Sequence, residues 1–340
     1  MKEILAYDLK QLEQIINEEM ESGKTWFRGH TNRKYVLLPN LYRTLYATRD
    51  QLNIPILPKK VTEYNNSGDI VPIPDGLYIK SFYSKLDELG IDYPKDYIEQ
   101  ICFAQHYGVK TRLLDWTTDI KVAYYFSNAG KKKNTKTVIY MLNPIKFNQY
   151  MSHMNQELYD YKFRDTKFPN GEMEKEIVQS SKIEVDGIIE PSELNAKSRL
   201  TPLAISGPRI DQRICRQSGN FIGFGKLIWS IEYYEDAKVK NEFNFDFETD
   251  LECITRIILL PKLSNEIGAV IRKEGIDERY IYNGNDIKDD ISKQAEISNK
   301  QVISSNLKEW ENDYNNLKKN SLAVDIARTL FANMVNGKIN

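Results

Sequence analysis

Residues 103–117 read FAQHYGVKTRLLDWT. The stretch joins two kinds of pattern. Upstream, Tyr97, Ile98, Ile101, Cys102 and Ala104 recur at helical spacing, with Asp92 or Tyr93 as a cap and Pro94 in the first turn. Gly108 suits the position just past a helix end. Val109 to Asp115 then reads as a short connection into a second helix, Thr117 to Asn128, stopped by Gly130. A strand, Thr137–Leu142, follows.

The same reading extends in both directions. Residues 3–6 form a short strand, and 8–21 a helix with Leu9, Leu12, Ile15 and Ile16 on one face and Gly23 as its stop. Trp26-Phe27-Arg28-Gly29-His30 is an aromatic strand running through a glycine. Residues 76–90 are helical. Further on, 226–234 and 253–260 read as strands, Pro261 opens a helix ending at Gly275, and Arg279–Tyr282 reads as one more strand. Strands interleaved irregularly with helices give an α+β class: a mixed sheet core with packed helices, surface insertions and a helical C-terminal extension. The expected organisation is a domain over 1–286 and an extension over 287–340. The insertions fall near 50–75, which holds Pro55, Pro58, Pro72 and Pro74, and near 150–195, which is polar and aperiodic.

Composition narrows the function. Lys and Arg number 47 against 48 Asp and Glu, so the chain lacks the basic excess that bulk nucleic-acid binding requires. Cys102, Cys215 and Cys253 are scattered, each in an apolar stretch, and read as buried small hydrophobes rather than a disulfide or zinc framework. The three histidines show no metal spacing. No stretch reaches the ~18 apolar residues of a membrane span, and the expected location is the cytoplasm.

Three clusters carry polar groups where a scaffold would avoid them. In the first, Arg28 follows two aromatics and precedes a glycine that lets a ligand approach. It reads as a fork for phosphate or carboxylate, or as a buried arginine paired with an internal acid such as Asp115. In the second, His106 at a helix C-terminus can act as acid, base or phosphate donor, or simply cap the helix. Arg112 and Asp115, three apart, can pair with each other while Asp115 caps the next helix; alternatively Asp115 orients Arg28 or His106. Trp116 reads as core. In the third, Arg216-Gln217-Ser218-Gly219-Asn220-Phe221, Gln217 offers a donor and an acceptor for an amide or base edge, or for a loop clasp. Arg28, His106, Arg112 and Asp115 are expected to converge in one cavity, because stranded polar groups are costly.

The Phe-Arg-Gly triplet at 27–29, the AQHYG-x-x-TRLLDWT block at 104–117 and the RQSGNF block at 216–221 resemble the FRG-domain family, over roughly residues 20–285. That family occurs in bacteria and phages, which implies a role in phage–host conflict or toxin-like action. The aromatic-Arg-Gly strand is also similar to the first strand of ADP-ribosyltransferases, whose arginine holds the phosphates of NAD. The similarity implies an NAD-using transferase or glycohydrolase, with NAD as cofactor, Arg28, His106 and Gln217 in catalysis, and Arg112, Asp115, Tyr107 and Arg216 binding the ligand. Tyr107, Tyr124 and Tyr125 would supply stacking surfaces. The late catalytic glutamate of those enzymes is replaced here by Gln217, and the Glu172/Glu174 pair sits in the expected insertion. The competing reading is a non-catalytic module that takes a nucleotide, a nucleic-acid end or a protein partner. Sequences matching a P-loop, a GxGxxG turn, a GxSxG elbow or an HExxH helix do not occur.

Overall fold

A computed structural model describes residues 1–43, 73–163, 188, 200–210, 212–225, 227–235, 253–282 and 286–319. Most of the expected insertions, including Glu172 and Glu174, lie outside these residues.

Among these described residues, seven strands form one mixed sheet in the order β1-β7-β4-β2-β3-β6-β5. They are β1 (Lys2–Ala6), β2 (Trp26–His30), β3 (Leu113–Thr117), β4 (Thr137–Leu142), β5 (Leu203–Ile205), β6 (Gly219–Gly223) and β7 (Ile254–Leu259). The β1–β7 pair is parallel and the others are antiparallel. The central β4 is buried along its whole length, so both its faces are apolar. Its period of two sends Ile139 and Met141 to one core and Val138, Tyr140 and Leu142 to the other.

Helices cover both faces. On the first, α1 (Leu9–Glu21) contributes Leu12, Ile15 and Ile16, and α5 (Ile120–Asn128) contributes Ala123. Leu263 and Ile267 of α8 (Pro261–Lys273) complete this core. On the second face lie α3 (Asp75–Glu88), α4 (Tyr97–His106), α6 (Pro144–Phe163) and the long α10 (Asp286–Lys319). Phe82, Leu86, Ile101, Phe147, Met151 and Val302 from these helices belong to the larger core. Each such side chain is worth about 1.5–3 kcal/mol when fully buried. Short helices α2 (Asn40–Arg43), α7 (Gln212–Arg216) and α9 (Glu278–Tyr282) close the gaps.

Several expectations are corrected. The segment Leu113–Thr117 is a strand, because it pairs in register with all five residues of β6. The helix after it starts at Ile120 and is capped by Asp119, whose carboxylate accepts the Lys121 N–H at 2.8 Å; Asp115 caps nothing. Helix α4 is capped by Asp96, accepting from Ile98 and Glu99, rather than by Asp92 or Tyr93. Residues 227–230 are irregular and Ile231–Glu235 form a 3-10 turn, not a strand. They bond to the loop around Leu37 instead of the sheet: Ile231 donates to the Leu37 carbonyl, and the Glu232 carboxylate accepts the Leu37 N–H. Glu278–Tyr282 is helical, with Asp277 accepting the Tyr280 N–H. Cys215 is exposed, whereas Cys102 and Cys253 are buried. The stretch from residue 150 continues α6, and its Met151 and Met154 are buried.

Candidate functional site

The site is built on β2, where each residue has its own task. Trp26 faces the larger core and Phe27 the smaller one. Arg28 therefore shares the face of Trp26. Gly29 turns toward α5, which crosses so closely that a Cβ there would lie 2.0 Å from the Ala123 carbonyl oxygen and 2.5 Å from the Ser127 nitrogen. Only glycine lets helix and strand meet at this distance.

Strands β2 and β3 share a single register pair, Phe27 with Thr117. Beyond it the sheet opens and the Arg28 guanidinium fills the gap. Nη1 donates to the main-chain carbonyl of Asp115 and lies 3.8 Å from its carboxylate. Nε donates to His30 Nε2 at 3.0 Å. Burial pushes the Arg28 pKa down to about 10, against the pull of Asp115, so the group stays charged at neutral pH.

Hydrogen bonds run on from both sides. His30 must be neutral to accept from Arg28, and its Nδ1 then carries the proton, 3.4 Å from the Tyr35 carbonyl oxygen. Burial, then the charges of Arg28 and Arg43, hold the His30 pKa well below its usual value. On the other side, Gln105 Nε2 donates to the Asp115 carboxylate at 3.2 Å. The Thr111 hydroxyl donates to Gln105 Oε1 at 2.6 Å and accepts the Leu113 N–H. Thr111 thus fixes which end of the Gln105 amide meets Asp115.

The opening is a cavity of about 340 Å³. Arg28, His30, Tyr35 and Arg43 line one side, and Gln105, His106, Asp115 and Trp116 another. Val122, Ala123, Phe126, Gln217 and Tyr282 also line it. Arg28, His106, Asp115 and Gln217 thus meet around one space. Arg112 is not among its lining residues: its guanidinium grips Asp75 through two bonds, Nε to Oδ2 at 2.6 Å and Nη2 to Oδ1 at 2.7 Å. Asp75 is 2% exposed, and this paired bond raises the Arg112 pKa. The expected Arg112–Asp115 pair is therefore absent, because a buried carboxylate on α3 is the better partner. Tyr107 is buried against Phe103, ring centroids 4.7 Å apart, and Arg216 is exposed on α7; neither lines the cavity.

His30 and Gln105 were not singled out by sequence reasoning. The spacing Arg28-x-His30 puts both on one strand face, and that period of two was the available signal for the histidine. Gln105 shows no sequence signal, since its role depends on a turn that brings Thr111 back to it. Among the described residues, no group of three or more His, Cys, Asp or Glu could hold a metal ion. No described helix is long and apolar enough to cross a membrane.

These features define an α+β protein whose central sheet parts around a half-buried arginine to leave a polar cavity. Residues 23–136 match the family model of the FRG domain, so the chain carries an FRG domain. The match takes in Arg28, His30, Gln105, His106 and Asp115 and ends before Gln217 and Tyr282, so the turn between α7 and β6, together with α9, completes the cavity from outside it. Comparison with curated proteins and with solved structures found no significant match.

Proposed function

We propose that the cavity binds a nucleotide or a similar ligand that joins an anionic group to a planar ring. The observation that carries this reading is that Arg28 and Arg43 line the same cavity as Val122, Phe126 and Tyr282. Arg28 uses Nε and Nη1 on His30 and Asp115, and Arg43 uses Nε on the Leu38 carbonyl. Among the described residues, Nη2 of Arg28 and both Nη groups of Arg43 have no acceptor, which suits a phosphate. Val122, Phe126 and Tyr282 offer a surface for a ring.

Chemistry on NAD is the enzymatic form of the same reading. Arg28 would take the phosphates, and Asp115 is the carboxylate at the cavity. A carboxylate at Gln217 would stabilise an oxocarbenium-like state, and the amide there favours the second reading, binding without turnover. The link to phage–host conflict or toxicity stands on family resemblance alone.

The test is calorimetry with AMP, ADP-ribose, NAD and pyrophosphate, together with incubation of labelled NAD with mixed macromolecular targets. Binding of the nucleotides with weaker binding of pyrophosphate is expected. Transfer or nicotinamide release would select the enzyme; binding without either would select the module. No binding of any of the four would overturn the proposal.

A further inference from the structure

Gln217 lines the cavity, and its surroundings determine which way its amide faces. Its main-chain carbonyl accepts from the Thr117 hydroxyl at 2.6 Å, which pins the residue to the closed end of the β2–β3 split. Its Nε2 lies 3.1 Å from the carbonyl oxygen of Ile281. A carbonyl can only accept, so the NH2 end of the amide must point there. The Oε1 end is left as an acceptor, and among the described residues nothing donates to it. Tyr282, the next residue after that carbonyl, and Phe126 line the same cavity. A half-buried acceptor in a cavity that aromatic side chains also line favours a ligand ring with an N–H to give, and leaves a ring bearing an acceptor or a negative charge facing an oxygen.

We infer that Gln217 selects ligands whose planar ring bears an NH2 group. This inference rests on the nucleotide reading above and names the edge of the ring that the site recognises. The exocyclic amine of an aminopurine and the carboxamide of a pyridine ring both present that group on a nucleotide. They are distinguishable because each has a close partner without the donor.

The experiment measures affinity by calorimetry for two pairs. AMP is compared with purine riboside 5′-monophosphate, which lacks the amine. Nicotinamide mononucleotide is compared with nicotinic acid mononucleotide, in which a carboxylate replaces the carboxamide. The expected result is a preference of about 3- to 10-fold for the NH2-bearing member of at least one pair, the range one hydrogen bond supplies. The pair that discriminates identifies the ring. Gln217→Met, which keeps the length and loses the acceptor, should bring that ratio near one. Gln217→Glu, which keeps an acceptor oxygen, should retain it. Equal affinity within both pairs in the wild-type protein overturns the inference and leaves the nucleotide reading standing; this arm needs no variant to fold. A preference that survives in folded Gln217→Met also overturns it. If none of the four binds, the nucleotide reading fails and the inference falls with it.

Discussion

Arg28 and His30 are two residues apart on one strand, and the guanidinium Nε donates to the imidazole Nε2 at 3.0 Å. The bond requires a neutral histidine beside a charged arginine, and burial together with Arg28 and Arg43 keeps it neutral. In the unfolded chain His30 has an ordinary pKa near 6.5. Its folded pKa lies below that, so the unfolded state binds the extra proton first. The stabilisation is complete above about pH 6.5 and declines as pH falls from there toward the folded value. Wild-type protein should therefore lose stability relative to His30→Gln by up to about 1.4 kcal/mol per pH unit between pH 6.5 and 5. Burial would raise the Glu19 pKa, but hydrogen bonds from Lys2, Lys24 and Thr255 lower it to about 2, so that residue acts only below this window. Denaturant unfolding at several pH values measures the difference, and parallel curves would refute it.

Arg28→Lys separates geometry from charge. Lysine keeps the positive charge but cannot reach His30, the Asp115 carbonyl and a ligand at once. Charge-assisted hydrogen bonds are worth roughly 1.5–3 kcal/mol, so AMP should bind about ten- to a hundredfold more weakly to the folded variant. Calorimetry on protein that unfolds cooperatively checks this. Unchanged affinity would remove Arg28 from the ligand site.

What the sequence revealed follows from the range of the interactions involved. Strand β4 and helix α8 were readable because their period and their Pro261 start are local. The Trp26–His30 strand was readable too, and with it the place of Arg28 on that strand. The strand Leu113–Thr117 was not, since two adjacent leucines break the alternation and its partner β6 is about a hundred residues away. Arg112 reads as paired with Asp115 because that residue lies three on, while its actual partner, Asp75, follows a proline-rich stretch that gave no pattern. Convergence of Gln217 on Arg28 depends on sheet order, which no window of sequence contains.

The Arg112–Asp75 pair should support the fold rather than ligand binding. Both Asp75 oxygens are engaged and the carboxylate is almost fully buried, so removing the cation strands a charge. Arg112→Met should cost about 3 kcal/mol in denaturant unfolding. AMP affinity measured well below the unfolding transition should match wild type. A variant of normal stability with weakened binding would return Arg112 to the site.

Gly29→Ala should destabilise by about 1–3 kcal/mol, because the new methyl group meets backbone atoms of α5 that cannot step aside as a side chain would. Gly76 in α3 provides the control. A Cβ there has nothing within 4 Å, and alanine at that helical position should stabilise by about 0.4–1 kcal/mol. Opposite shifts in melting temperature are expected for the two substitutions. A neutral Gly29→Ala would mean that α5 and β2 can separate, and that the triplet's glycine does not set their spacing.

Asn299 connects the long C-terminal helix α10 to the cavity from behind. Its Nδ2 donates to the Gly108 carbonyl at 2.8 Å and its Oδ1 accepts the Lys110 N–H at 3.2 Å. Both bonds grip the turn that follows Gln105 and His106 and leads to Thr111. Gly108 holds that turn at φ +94°. Because Thr111 orients Gln105, and Gln105 holds Asp115 beside Arg28, a loosened turn should blur the geometry of the whole row. Asn299→Ala should cost about 1–2 kcal/mol in stability. It should also weaken AMP binding a few-fold in protein that is fully folded, although Asn299 touches no part of the cavity. Asn299→Asp, which retains the acceptor for Lys110 and loses the donor to Gly108, should fall between. If both variants bind as wild type does, the helix merely covers the larger core, and the turn is held in place by Thr111 and Gly108 without help from the C-terminal region.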